Sequence, residues 1–212
     1  MEPLLTALRG LPEYRRLLTC LEKRQCAGVS GAAQITRSHL IASVLYETRR
    51  PAVILCQDEL AARRTQAELA AFLGKAPPIL PGRDLAFYNA SAVSRQWEQQ
   101  RMQLLYALAC GQTPVLLATW DAFSVRTMPR DILSENAVSL KIGSNISLDT
   151  LSARLTALGY VRGTLVEGVG QFALRGGILD VFSPLMEQPI RCEFWGDEID
   201  SMGTFDPANQ RR

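Results

Sequence analysis

The chain has 212 residues, 47% apolar and 21% charged, and its 23 Lys and Arg against 21 Asp and Glu leave a formal net charge of +2. This is the composition of folded domains able to bury real cores, and it excludes collagen-like, disordered and disulfide-scaffold classes. A near-neutral balance without a Lys/Arg block argues against nonspecific DNA binding as the main activity, because that affinity is built from phosphate neutralisation.

Taken in chain order, Leu11 to Gln25 is amphipathic, with Tyr14, Leu17, Leu18 and Leu21 on one face and Arg15, Arg16, Glu22 and Lys23 on another, and predicts a helix. A Gly28 to Gly31 loop follows, then a second helix marked by Ile35, Leu40, Ile41, Val44 and Leu45. The apolar run Ala52 to Cys56 reads as a strand covered on both faces by helices. Asp58 to Leu73 is a helix closed by Gly74. A connector with Pro77, Pro78 and Pro81 leads to a helix around Ser94 to Ala109 and a second buried strand, Val115 to Thr119. This βα alternation predicts a parallel sheet flanked by helices. Beyond Met128-Pro129 the pattern changes to short strands of period two, one helix from Ser147 to Leu158 with Leu148, Leu151 and Leu155 inward, and Gly-rich turns. The expected fold class is therefore α/β over residues 1–128, followed by a small α+β domain with antiparallel strands over 129–212.

No apolar run approaches the roughly 20 residues of a membrane span, and the first residues lack the charged and apolar regions of a signal peptide, so a cytoplasmic protein is expected. Five cysteines (Cys20, Cys26, Cys56, Cys110, Cys192) without a CxxC pair support neither a disulfide framework nor a metal site and read as reduced structural thiols. His39, the single histidine, has no nucleophile with an acidic partner in any local motif and reads as a packing or surface residue.

The Gly28 to Thr36 segment invites comparison with the phosphate loop, in which amides wrap the phosphates, a Lys neutralises them and a Ser or Thr hydroxyl holds Mg²⁺. Counted from Gly28, the second glycine position holds Ala33, the lysine position Gln34 and the hydroxyl position Ile35. With Lys and metal ligand gone, little is left to stabilise phosphoryl transfer, so neither ATP hydrolysis nor any cofactor is expected. The neutral reading of Gly28 and Gly31 is a tight turn ahead of a helix N-cap.

In the strand Ile190 to Trp195, alternation sends Ile190, Cys192 and Phe194 to one face and Arg191, Glu193 and Trp195 to the other. Gly196-Asp197 supplies a hairpin turn, and Arg175, just before Gly176-Gly177, can join the Arg191 and Trp195 surface. Trp beside Arg is a composition enriched in interface hot spots. The alternative is that Trp195 packs under a neighbouring element and the arginines pair with Glu193 and Glu198 as solvated ions.

Two stretches carry a family resemblance. Gly170 to Pro184 contains R-G-x-x-x-D-x-F, and Pro189 to Ser201 contains R-x-E-F-x-G-D-E-I-D, with Phe205-Asp206-Pro207 and Gln210-Arg211-Arg212 beyond. Together they resemble the UvrB-like N-terminal module of bacterial transcription-repair coupling factors. The degenerate loop, the strand Ala52 to Cys56, the turn Pro81-Gly82-Arg83-Asp84 with Tyr88 beyond, Arg101, and Pro114 to Ala122 are similar to the helicase-like first domain of that module. The substitutions at Ala33, Gln34 and Ile35 set the chain apart from UvrB, which keeps its phosphate loop. The resemblance implies a non-catalytic fragment that binds UvrA through Arg175, Arg191 and Trp195, with contacts to RNA polymerase and DNA, and the ATP-driven translocase, in domains absent from this chain. The resemblance also implies that those absent domains can cover the UvrA-binding surface. As surface positions, Arg191 and Trp195 are expected to tolerate substitution without loss of the fold. A UvrB-type helicase, or a DNA-binding domain using Arg15, Arg16, Arg49, Arg50, Arg63 and Arg64 as basic edges, are the rival readings.

Overall fold

A computed structural model describes residues 2–82 and 95–211. The described residues form two compact units, residues 2–82 with Gly111–Arg126 and residues 95–110 with 127–211. Arg83, Asp84, Tyr88 and Arg212 of the family-like pattern, and Ser94 of the expected helix, lie outside the described residues.

In the first unit, α1 (Glu2–Thr6) passes through a 3-10 turn into α2 (Pro12–Glu22), which opens on a proline where a helix needs no N–H partner. There follow α3 (Gln34–Thr48), β1 (Ala52–Cys56) and α4 (Glu59–Leu73). Helix α4 is closed at both ends. The Asp58 carboxylate accepts the Ala61 N–H at 2.7 Å, and the Gly74 N–H returns to the Ala70 carbonyl at 2.9 Å. Next along the chain, α5 (Arg95–Ala109) belongs to the second unit, before β2 (Val115–Thr119) and α6 (Trp120–Ser124) resume the first. Strands β1 and β2 run parallel with Ala52 opposite Val115 and Cys56 opposite Thr119, and a parallel bridge joins Ile79 to Leu117.

Leu5, Ala42 and Leu69 bring α1, α3 and α4 together over Ile54 and Phe72. His39 is part of this packing: its Nε2 lies 2.7 Å from the Leu4 carbonyl and its ring stacks on Phe72 with centroids 5.1 Å apart. Contrary to the two-sided burial expected of Ala52 to Cys56, Val53 and Leu55 stand about half exposed. The helices cover the Ile54 side of β1, and a short all-apolar run does not reveal whether one face or both are covered.

The second unit contains α5, α7 (Arg130–Glu135), α8 (Leu148–Ala157) and a five-stranded sheet of β3 (Val161–Arg162), β4 (Gln171–Arg175), β5 (Ile178–Val181), β6 (Ile190–Trp195) and β7 (Glu198–Thr204), neighbours in that order. All pairs are antiparallel except β3 with β4. Ser147 caps α8 by accepting the Thr150 N–H, and the helix sets Leu151 and Leu155 against Phe172, Leu179, Val181, Cys192 and Ile199. Between Glu193 and Phe194 the β6–β7 register shifts, so that Glu193 opposes Ser201 while Phe194 opposes Ile199. The extra residue on β7 is a bulge that lets both Cys192 and Ile199 reach the core. Residues 143–146 run beside the start of β7, with backbone bonds from Gly143 to the Ile199 carbonyl (2.8 Å), from Ile199 to that of Ser144 (3.0 Å) and from Ile146 to that of Asp197 (2.8 Å).

None of the five cysteines is in a disulfide, but only Cys192 is buried, while Cys26 and Cys110 are exposed. The reading of the set as structural thiols therefore holds for burial at one position and fails at those two, where the thiols lie on loop and helix-end surface. No helix of the described residues is long and apolar enough to cross a membrane.

Candidate partner-binding site

Strand register decides which side chains share the sheet face opposite α8. Asp180 on β5 lies across from Ala173 on β4 and Arg191 on β6, and Ile178 lies across from Arg175 and Glu193. Residues paired across an antiparallel ladder point the same way, so Arg175, Asp180, Arg191 and Glu193 share one face, and Trp195, two residues beyond Glu193, continues it. Two turns bring its outer end together. The β6–β7 turn places Gly196 at φ +62°, which glycine adopts without a Cβ penalty. In the β4–β5 turn the Gly177 carbonyl accepts the Phe194 N–H at 2.7 Å, and a Cβ built on Gly177 would stand 2.9 Å from the Phe194 oxygen. A glycine there is what lets the turn carrying Arg175 close onto the strand carrying Trp195.

The three predicted residues differ sharply in environment. Trp195 is 84% exposed, which removes the alternative in which it packs beneath a neighbouring element. The Arg175 side chain is 43% exposed and the Arg191 side chain only 15%. Both arginines converge on Asp180, whose side chain is completely buried: Arg175 donates from Nη2 to Oδ2 at 2.6 Å, and Arg191 donates from Nε to Oδ1 at 2.7 Å and from Nη2 to Oδ2 at 2.8 Å. The difference follows from register, since Arg191 is directly opposite Asp180 and closes on it as a fork, whereas Arg175 is the diagonal neighbour and reaches with one nitrogen.

The rest of Arg191 is enclosed by the last residues. Its Nη1 donates to the Gln210 carbonyl at 3.2 Å and its guanidinium lies 4.7 Å from the centroid of the buried Phe205 ring. Gln210 in turn donates from Nε2 to the Val166 and Pro207 carbonyls, and Val166, Ala173 and Phe205 make a small second core on this side of the sheet. The hydrogen bond to Asp180 is the main cause holding Arg191 above even its ordinary high pKa, outweighing the opposing effect of burial, with Asp180 and Glu193 adding attraction. Arg191 is therefore not an open surface residue: its side chain is largely enclosed and paired with a fully buried carboxylate, and its substitution is expected to disturb the fold.

At the other candidate site, residues 25–33 contain neither helix nor strand, and α3 begins at Gln34 after Ala33. Gly28 stands in the open loop and Gly31 takes φ +77°. The Gln34 side chain donates to Glu68 on α4 at 3.0 Å, so this side chain is engaged between two helices and faces an acid.

Residues 138–212 match the family described as the UvrB interaction domain. Over 211 residues, 96% of the chain, it is 35% identical to a transcription-repair-coupling factor of Myxococcus xanthus. Along nearly its whole length the chain is similar to a part of transcription-repair-coupling factors. Relatives of the same name in Bacillus subtilis (strain 168), 28% identical over 90% of the chain, and Staphylococcus aureus (strain USA300), 29% identical over 87%, agree. The chain spans 18% of the length of the Myxococcus protein and 16% of each of the other two.

Sequence reasoning placed Arg175, Arg191 and Trp195 on one face and missed Asp180, the residue that holds both arginines. The signal was present: a carboxylate inside the apolar run Ile178-Leu179-Asp180-Val181-Phe182, where an unpaired charge would be costly and so demands a cationic neighbour across the sheet.

Proposed function

We propose that the chain is a non-catalytic docking module that binds UvrA and thereby brings excision repair to transcription, as the name of its relatives suggests for the whole protein. Supporting this reading above all is Trp195, a large aromatic left 84% exposed beside an anchored arginine pair, on the domain that matches the UvrB interaction family. Aromatic and arginine side chains held rigid before binding lose little freedom on association. The loop at Gly28 to Gln34 is read as a decayed phosphate loop, which leaves this part without ATPase chemistry. RNA polymerase and DNA are engaged by other parts of the longer relatives, which can also cover the Trp195 face in the whole protein, and the site of action is the cytoplasm.

The test is calorimetric titration of the purified chain with purified UvrA. Saturable binding that disappears in Trp195→Ala, with an unchanged melting curve, supports the reading. Equal binding by wild type and variant removes this face as the docking site.

A further inference from the structure

Resting on that reading, we infer that Asp180 is a positioning residue that divides the two arginines by role: it fixes Arg191 as internal scaffold and holds Arg175 at the surface of the sheet face that also carries Trp195, where it receives a carboxylate of UvrA flanked by an apolar side chain.

The donor geometry separates the two guanidinium groups. Arg191 spends Nε and Nη2 on Asp180 and Nη1 on the Gln210 carbonyl, and it lies over Phe205 at 15% exposure. Little of it is left to meet a partner. Arg175 gives one nitrogen to Asp180 and keeps 43% of its side chain at the surface. One buried carboxylate thus holds both cations, and the outer one is pinned at a single point with the remainder of its planar donor edge facing solvent. A fork so held suits a carboxylate, which it can grip with two parallel bonds.

The test has two parts. In the chain alone, ¹⁵N relaxation of arginine Nε–Hε groups should show Arg175 and Arg191 both ordered, and both should become mobile in Asp180→Asn. An Arg175 equally mobile in wild type and in a folded Asp180→Asn overturns the inference whether or not UvrA binds. In the second part UvrA affinity is measured for Arg175→Gln, Asp180→Asn and the double variant. Each single change should weaken binding about tenfold or more, and the double should be no more than about twofold weaker than either, because Asp180 acts through Arg175. Additive losses indicate a merely structural Asp180 and overturn the proposal. Should Asp180→Asn fail to fold, Arg175→Lys decides: it keeps the charge but has no planar fork with which to grip a partner carboxylate by two parallel bonds while bonded to Asp180, so wild-type binding by that variant overturns the inference, and a loss comparable to Arg175→Gln supports it. Absence of UvrA binding by the wild-type chain removes the proposed function, and the relaxation measurement still judges Asp180.

Discussion

Arg191 and Asp180 stand directly opposite one another on neighbouring antiparallel strands, and the guanidinium closes on a carboxylate with no solvent exposure through two bonds of 2.7 and 2.8 Å. Removing one member of such a pair leaves the other charged and unmatched inside the fold. Asp180→Ala should therefore cost about 3–5 kcal/mol of unfolding free energy, measured by urea denaturation. A loss under about 1 kcal/mol would show that the buried pair is not maintained in solution.

Charge reversal at Arg191 should be worse still. Arg191→Glu places two carboxylates face to face in the same enclosure, and the second unit should lose its cooperative transition in circular dichroism melts. Trp195→Ala, by contrast, removes an exposed ring and should change stability by no more than about 0.5 kcal/mol. If the ring is a hot spot, the same variant should weaken UvrA binding by about 2 kcal/mol, roughly thirtyfold.

Gly177→Ala addresses the turn rather than the side chains. Its new methyl would meet the Phe194 oxygen at 2.9 Å, too close without a backbone shift. We expect a loss of about 1–3 kcal/mol together with weaker UvrA binding, since the turn bearing Arg175 must move from the strand bearing Trp195. Unchanged stability and affinity would argue that the turn yields freely.

Thiol chemistry offers a direct check of burial. Cys26 and Cys110 should react rapidly with a disulfide reagent in the native chain, while the fully buried Cys192 reacts only on unfolding. Burial pushes the Cys56 thiol above its ordinary pKa, so this half-covered group should lag behind the two exposed ones near neutral pH. With none of the five cysteines in a disulfide, added reductant should leave the melting temperature unchanged.

Titration with Mg-ATP should give no binding heat at the loop before α3, where Gln34 bonds to Glu68 in place of a lysine awaiting phosphate. Micromolar binding there would sink the decayed-loop reading.

Local rules made the secondary structure legible. Asp58 and Gly74 announced both ends of α4, and the strands Ala52–Cys56 and Val115–Thr119 coincide with their apolar runs, because caps and short apolar stretches act over a few residues. Alternation along Ile190 to Trp195 likewise gave the faces of β6, since the bulge falls on its partner strand. What escaped was cross-strand: the depth of Arg191 and the role of Asp180 depend on which residues the register sets opposite one another, and on residues 205–211 folding over that face. The exposure of Val53 and Leu55 escaped for a related reason, since coverage is a property of neighbours rather than of the strand.

The loop beside β7 constrains how anything can be recognised. At one margin of the five-stranded sheet, residues 143–146 already occupy the backbone donors and acceptors at the start of β7, and the bulge distorts the ladder beyond them. At the other margin β3 offers two residues. Among the described residues of this sheet a visiting chain therefore finds only the short stretch of β7 past the bulge on which to add a strand, the common route both to peptide capture and to unwanted polymerisation. Recognition is left to side chains standing on the open surface of the sheet, where a few substitutions can change the choice of partner without touching the hydrogen-bonded frame beneath.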